Sequence, residues 1–427
     1  MVVKSGEPEV PDAAAAHSPS QTPPAAKTTG NWERHGGPPI LRHGFRPFFL
    51  VSALWAGTAV ALWLPMLLGW IGLPSAFDSH AWHAHEMIFG FVAAAVAGFI
   101  LTAIPNWTGR LPLRGLPLLC LLSVWFAGRL AVAFSLTIGP TIAAAIDLAF
   151  LILLVGFALR EIVAGRNWQN LPIGFVLFGF IAANALMHAE VLDWIGADGI
   201  GARLGIAIIA LIISLIGGRI IPSFTRNWLV KRGDTVLPAP FGRFDRLCIV
   251  LVLIAMAVWA VRPESAFAAG ILVLAGLASL VRWQRWQWHR TLAEPLLWSL
   301  HLGFLWIPVG LLLLGTHGFL PLLPTSAGLH ALTTGGAGSM ILAVMTRATL
   351  GHTGHELHAD RATAAIYLLI FAAAVLRLAA VFLPFVHWPL LMASAAAWIT
   401  AFLLFVVRYA PMMFVVRNQR SPNGAMT

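Results

Sequence analysis

From about residue 44 onward the chain alternates long apolar runs with short polar connections, and that pattern decides the fold class before any single residue does. Apolar runs lie near 47–70, 81–104, 116–137, 139–160, 171–194, 203–222, 244–262, 265–282, 294–315, 324–346, 362–384 and 388–410. As helices rising about 1.5 Å per residue, each crosses the roughly 30 Å of a bilayer's hydrocarbon. The pattern predicts an all-α, polytopic membrane bundle of about 12 transmembrane helices over residues 44–412. Residues 1–43, rich in Pro, Ala, Ser and Thr, are expected to form a disordered cytoplasmic tail, and 413–427 a short cytoplasmic C-terminal one.

Charge in the connections sets the expected orientation. Arg110 and Arg114, then Arg160 and Arg166, then Arg226, Lys231, Arg232, Arg243 and Arg246, then Arg282, Arg285 and Arg290, then Arg347 and Arg361 fall in every second connection. The positive-inside rule then places both termini of the expected multi-pass inner-membrane protein in the cytoplasm. Runs 2, 6 and 10 also end alike, in Ile104-Pro105-Asn106-Trp107-Thr108, Ile221-Pro222-Ser223-Phe224-Thr225 and Met345-Thr346-Arg347-Ala348-Thr349. That weak pattern is compatible with three four-helix units.

Composition narrows the chemistry. The chain has 427 residues, of which 59% are hydrophobic and 10% charged, with a mean hydropathy of +0.82, so its solvent is largely membrane lipid. The net charge of +10 follows from the basic connections rather than from one basic face, and no nucleic-acid partner is expected. Cys120 and Cys248 are the only cysteines, which excludes an iron–sulfur cluster and covalent haem attachment; a haem would be held non-covalently, as haem b.

Ionisable groups within lipid are costly, so each needs a partner or a purpose. Glu86, Arg129, Asp147, His188, Arg219, His301, His330 and Arg377 stand inside apolar runs. Arg129 and Asp147 flank a short turn at similar depth, which predicts an ion pair. The densest group of possible ligands is His80-Ala81-Trp82-His83-Ala84-His85-Glu86-Met87 at the outer end of run 2. His80 and His83 share a helix face, whereas His83 and His85 project about 200° apart and cannot serve one centre. His188 and His330 reach the same outer depth from other runs. Neutral imidazoles from different helices suit haem iron or copper; the alternative is buried histidines hydrogen-bonded to carbonyls.

Glu86 is the carboxylate placed to accept a proton or to orient a ligand histidine. Gly335 and Gly338 follow His330 closely, and small residues there admit a flat macrocycle or a neighbouring helix. His301 lies near the inner end of run 9, remote from the others. His352, with His355 and His358, belongs to a connection that reads as a loose metal site or a solvated loop.

Four stretches resemble the NnrS family: Gly44-Phe45-Arg46-Pro47-Phe48-Phe49-Leu50, the run from Trp82 to Arg110 (WHAHEMIFGFVAAAVAGFILTAIPNWTGR), Gly217 to Leu229 (GGRIIPSFTRNWL), and His330 to Gly354 (HALTTGGAGSMILAVMTRATLGHTG). The resemblance runs from about residue 40 to 410. It implies a haem- and copper-containing bacterial membrane protein linked to nitric oxide metabolism and nitrosative stress. Twelve spans with haem and copper are also similar to the respiratory haem–copper oxidases and nitric oxide reductases, where helices 2 and 10 supply haem ligands. On that likeness His85 or His83, with His330, would hold the haem, and His80, His83, His188, His301 and His352 are candidates for a metal. Run 6 carries no histidine and run 7 no His-His pair, so the oxidase copper site does not carry over.

The expected activity is binding or reduction of nitric oxide, or of a related small ligand, at a histidine-ligated centre. A denitrification-type oxidoreductase would need electrons from a quinol or a cytochrome, because the chain has no dinucleotide or flavin motif. Transport or handling of haem, copper or an iron–nitrosyl species, or non-catalytic haem sensing, are the alternatives.

Overall fold

The computed structural model describes residues 37–196 and 198–415. The expected N-terminal tail up to residue 36 and the C-terminal residues from 416 lie outside the described residues. Twelve helices are long and apolar enough to cross a membrane. We label them α1 (Phe45–Leu67), α2 (Ser79–Thr108), α3 (Leu116–Ala133), α4 (Pro140–Ala164), α5 (Trp168–Val191), α6 (Ile200–Lys231), α7 (Arg243–Val261), α8 (Ala266–Gln284), α9 (Pro295–His317), α10 (Thr325–His352), α11 (Arg361–Phe382) and α12 (Pro384–Phe414). No strand occurs among the described residues, and the chain is a multi-pass helical membrane protein.

Local chemistry starts these helices where the sequence changes character. Asp78 accepts from the His80 and Ala81 N–H groups at 2.8 and 2.9 Å, Ser265 from Ala268, Glu294 from Leu296, and Asp360 from Thr363, so orphan donors at four helix starts are satisfied. Pro140 and Pro295 open α4 and α9, where a missing N–H costs nothing. α6 runs past the expected end at 222 to Lys231, with Pro222 inside it, because the polar residues that follow still form helix beyond the apolar stretch.

Three helices depart from α geometry in the same way. Wider π-turns occupy Glu86–Val92 in α2, Ile213–Gly217 in α6 and Ala331–Gly338 in α10, the same helices that end alike in sequence. Such turns leave carbonyls without their usual partner, and they cluster near functional sites. Ser52 donates to Phe91 O at 3.0 Å, Trp125 to Gly90 O at 3.1 Å, and Arg282 to Ser214 O at 2.9 Å, so neighbouring helices take up the released acceptors. α2, α6, α9 and α10 are also the most enclosed, with 72, 61, 61 and 67% of their apolar windows buried against 33–44% for the rest. The centre of the protein is therefore built around the π-containing helices, with large buried rings such as Phe49, Phe91, Phe304 and Trp398 between them.

Candidate metal and cofactor centres on two sides of α2

His85 opens one site. It is fully buried, and its Nδ1 lies 3.2 Å from Glu86 Oε1. Its Nε2 lies 2.9 Å from Asn184 Oδ1 and 3.1 Å from Asp147 Oδ2. The same Asp147 oxygen receives the Asn184 amide at 2.7 Å and faces His188 Nε2 at 3.1 Å. Arg129 from α3 joins the two carboxylates: one guanidinium nitrogen donates to both Glu86 oxygens at 2.8 Å, and the other donates to Asp147 Oδ1. Trp55 from α1 adds a 2.7 Å donor to Glu86 Oε2.

Small residues let the cluster close. A Cβ at Gly128 would stand 2.8 Å from Asp147 Oδ1, and one at Gly90 would stand 2.9 Å from Glu86 Oε2. Phe77 packs over the His85 and His188 rings with centroids 4.9 and 5.3 Å away, which shuts out water. The arrangement holds two carboxylates against one guanidinium, and both His85 nitrogens face oxygens that accept. One further positive charge completes it, supplied by a second proton on His85 or by a cation. His85, Asp147 and His188 place one ligand atom each within 4.8 Å of one another, close enough to hold a metal ion.

The other side of α2 borders a cavity with about 950 Å³ of atom-free space, counting its open part, between α1, α2, α6, α10, α11 and α12. His83, His330, Arg377, Thr333, Thr334 and Ser394 are its polar wall residues. The Nδ1 of His330 lies 2.8 Å from Ser326 O, to which it donates, so in the neutral ring Nε2 is the nitrogen that carries no proton. His83 stacks on Trp63, with ring centroids 4.1 Å apart, and its Nδ1 has no partner. One guanidinium nitrogen of Arg377 is buried without a partner as well. Orphaned nitrogens of this kind are rare in proteins and need an explanation.

The expected site residues therefore separate. Of the two histidines expected opposite His330, His83 shares its cavity, while His85 is turned into the ionic cluster with His188 and Glu86. His80 is exposed. His301 is buried elsewhere, with Nε2 2.9 Å from Thr225 Oγ1, and His352 is exposed at the far end of α10, its ring 5.6 Å from that of Phe45. The expected open face at Gly335 and Gly338 is filled: Cβ atoms there would meet Trp306 and Trp398 at 2.5 Å, so these glycines seat indoles. Asn184, Trp55 and Trp63 escaped the reading of the sequence. For Asn184 a signal existed, since it precedes His188 by four residues and so shares its helix face.

Fold and sites together define a polytopic helical membrane protein with a buried histidine–carboxylate cluster beside a histidine-lined cavity. Residues 39–417 match the family described as NnrS protein, and the chain belongs to that family. No curated protein matches it.

Proposed function

We propose that this chain is a haem- and metal-binding protein of the nitric oxide response, with the haem held by His83 and His330 and a metal ion by His85, Asp147 and His188. The observation that carries the reading is the His83–His330 cavity with its partnerless ring and guanidinium nitrogens. His330 is oriented as metal-ligating histidines are, with one nitrogen tied to a carbonyl and the other without a proton. His83 lines the same cavity from α2, its ring fixed by the stack on Trp63. Arg377 offers an unsatisfied guanidinium to an anionic group such as a propionate. When bound, a haem supplies redox-active iron and a place for a diatomic ligand.

On the other face, two imidazoles and a carboxylate form a donor set suited to copper or iron. Glu86 orients His85, and Arg129 holds both carboxylates in place. The reading carries with it an inner-membrane location with the His80–Glu86 end of α2 outward, and a quinol or cytochrome as electron donor. A second reading rests on the closed hydrogen bonding of the cluster: it works as a store for one proton, without metal.

Haem and metal content of detergent-purified protein test both. His83→Ala and His330→Ala should lose haem and keep the metal, and His85→Ala and His188→Ala should do the reverse. Retention of haem by both cavity variants sinks the haem assignment. Absence of stoichiometric metal from the wild type leaves the proton-store reading. Spectra of the reduced protein with nitric oxide then show whether the ligand reaches the iron.

A further inference from the structure

At the opposite end of α2, α6 and α10 from the histidine cavity, the last turns of these helices stand apart around a second hollow. It has about 1580 Å³ of atom-free space, counting its open mouth. Arg219 and Arg347 are its two cationic arginines. Neither forms an ion pair or hydrogen bond with any carboxylate among the described residues. Arg347 instead lies over the Phe224 ring, 4.0 Å from its centroid. Glu294, the carboxylate whose field reaches Arg347, is engaged in capping α9. His43, just before α1, has its pKa lowered to about 4, first by burial and then by Arg46, His352, Arg42 and Arg114.

Deeper in, the hollow continues into a cleft lined by apolar residues alone, and the two share seven residues, among them Phe49, Phe99, Leu215, Ile216 and Val344. The cleft reaches Met340, seven residues from Arg347 along α10, or about 10 Å of helix. Leu215, Ile216 and Ile220 remain half-buried there although α6 is a central helix. A cationic mouth on a hydrocarbon-lined slot matches one chemistry, an anion with an apolar tail.

We infer that this hollow binds an acidic phospholipid of the surrounding bilayer, headgroup on Arg219 and Arg347 and one acyl chain in the cleft. The lipid fills space between helices that do not otherwise close on one another, and it neutralises arginines that the protein leaves unpaired. A soluble anion would satisfy the arginines but leave the apolar walls uncovered. The site is independent of the histidine centres and of what they bind.

Native mass spectrometry of the full chain tests this, with phosphatidylglycerol or phosphatidylcholine of the same acyl chains added and inorganic phosphate as competitor. The wild type should retain phosphatidylglycerol over phosphatidylcholine. Arg219→Gln/Arg347→Gln should weaken that retention by about tenfold or more, and Val344→Trp, which fills the cleft without changing charge, should weaken it too. Phosphate should not displace the lipid. Equal retention of the two lipids, or unchanged retention in both variants, overturns the proposal. Displacement by phosphate makes the hollow a soluble-anion pocket and overturns it as well. If the arginine variant does not fold, Val344→Trp alone decides.

Discussion

The two faces of α2 carry histidines two residues apart and solve opposite problems. Around His85 the ring, the carboxylates, the Asn184 amide and two of the three Arg129 nitrogens answer one another, with Arg129 Nε alone left over; the carboxylates and Arg129 come from three different helices, and phenyl rings close the space. Around His83 there is room, and ring and guanidinium nitrogens are left over. The first face pays for buried charge with mutual satisfaction, and the second keeps its capacity open for something that is not protein. In lipid, where apolar contact between helices gains little, a closed ionic network is a means of assembly and an open polar cavity is a means of recognition.

The sharpest way to break the comparison is to remove one member of the closed side. Arg129→Ala leaves Glu86 and Asp147 uncompensated and is expected to destabilise the protein by about 3–5 kcal/mol, read as lost thermal stability in detergent or failure to accumulate. Arg377→Gln, on the open side, removes a charge that has no protein partner and should leave the stability of the haem-free protein nearly unchanged while lowering haem retention. Equal destabilisation by the two would erase the distinction. Next in size is Gly128→Ala, which puts a methyl group against Asp147 and should cost about 1–3 kcal/mol with loss of the bound metal and retention of haem.

The smallest effect calibrates the others. Asp360, outside the spans, caps α11 and meets Arg408 at 2.6 Å. Burial, its largest single influence, raises its pKa, but the Thr363 backbone and hydroxyl donors and Arg408 together bring it down to about 2. Because the folded value lies below the unfolded one, near 3.9, the stabilisation is present above about pH 4 and fades as pH falls towards 2. Asp360→Asn keeps a capping oxygen but loses the charge that meets the part-exposed Arg408, so it should cost about 0.2–1 kcal/mol at neutral pH and remove that pH dependence, measured by thermal melts across the range. Neither centre on α2 should change its metal or haem content.

Much of this is legible in the sequence, and the rest is not for definable reasons. The spans are legible because hydrocarbon imposes a length and a polarity on each helix. The Arg129–Asp147 pair is legible because a short turn fixes relative depth, and the divergence of His83 from His85 because helix geometry fixes angle. Which residues complete each site depends on which helices become neighbours, and that is not written in any one run. Trp55 and Trp63 enter only through packing, Asn184 announces itself only by its four-residue spacing from His188, and Gly335 and Gly338 reverse their apparent meaning once tryptophans are found against them. The π-turns have no sequence pattern of their own here, although the kinship of α2, α6 and α10 is visible in how they end.

Arg129 has a consequence for how the protein is made. An arginine in the last third of an isolated α3 costs up to about 2.5 to 3.5 kcal/mol to insert, the value at a helix centre, and its two counter-charges arrive on α2, already synthesised, and α4, still to come. The nascent α3 is then held by Glu86 at first and by Asp147 later, so insertion of these helices is cooperative rather than sequential. A ribosome stalled before α4 should leave a population of chains with α3 not yet committed to the membrane, larger when Glu86 is replaced by Gln.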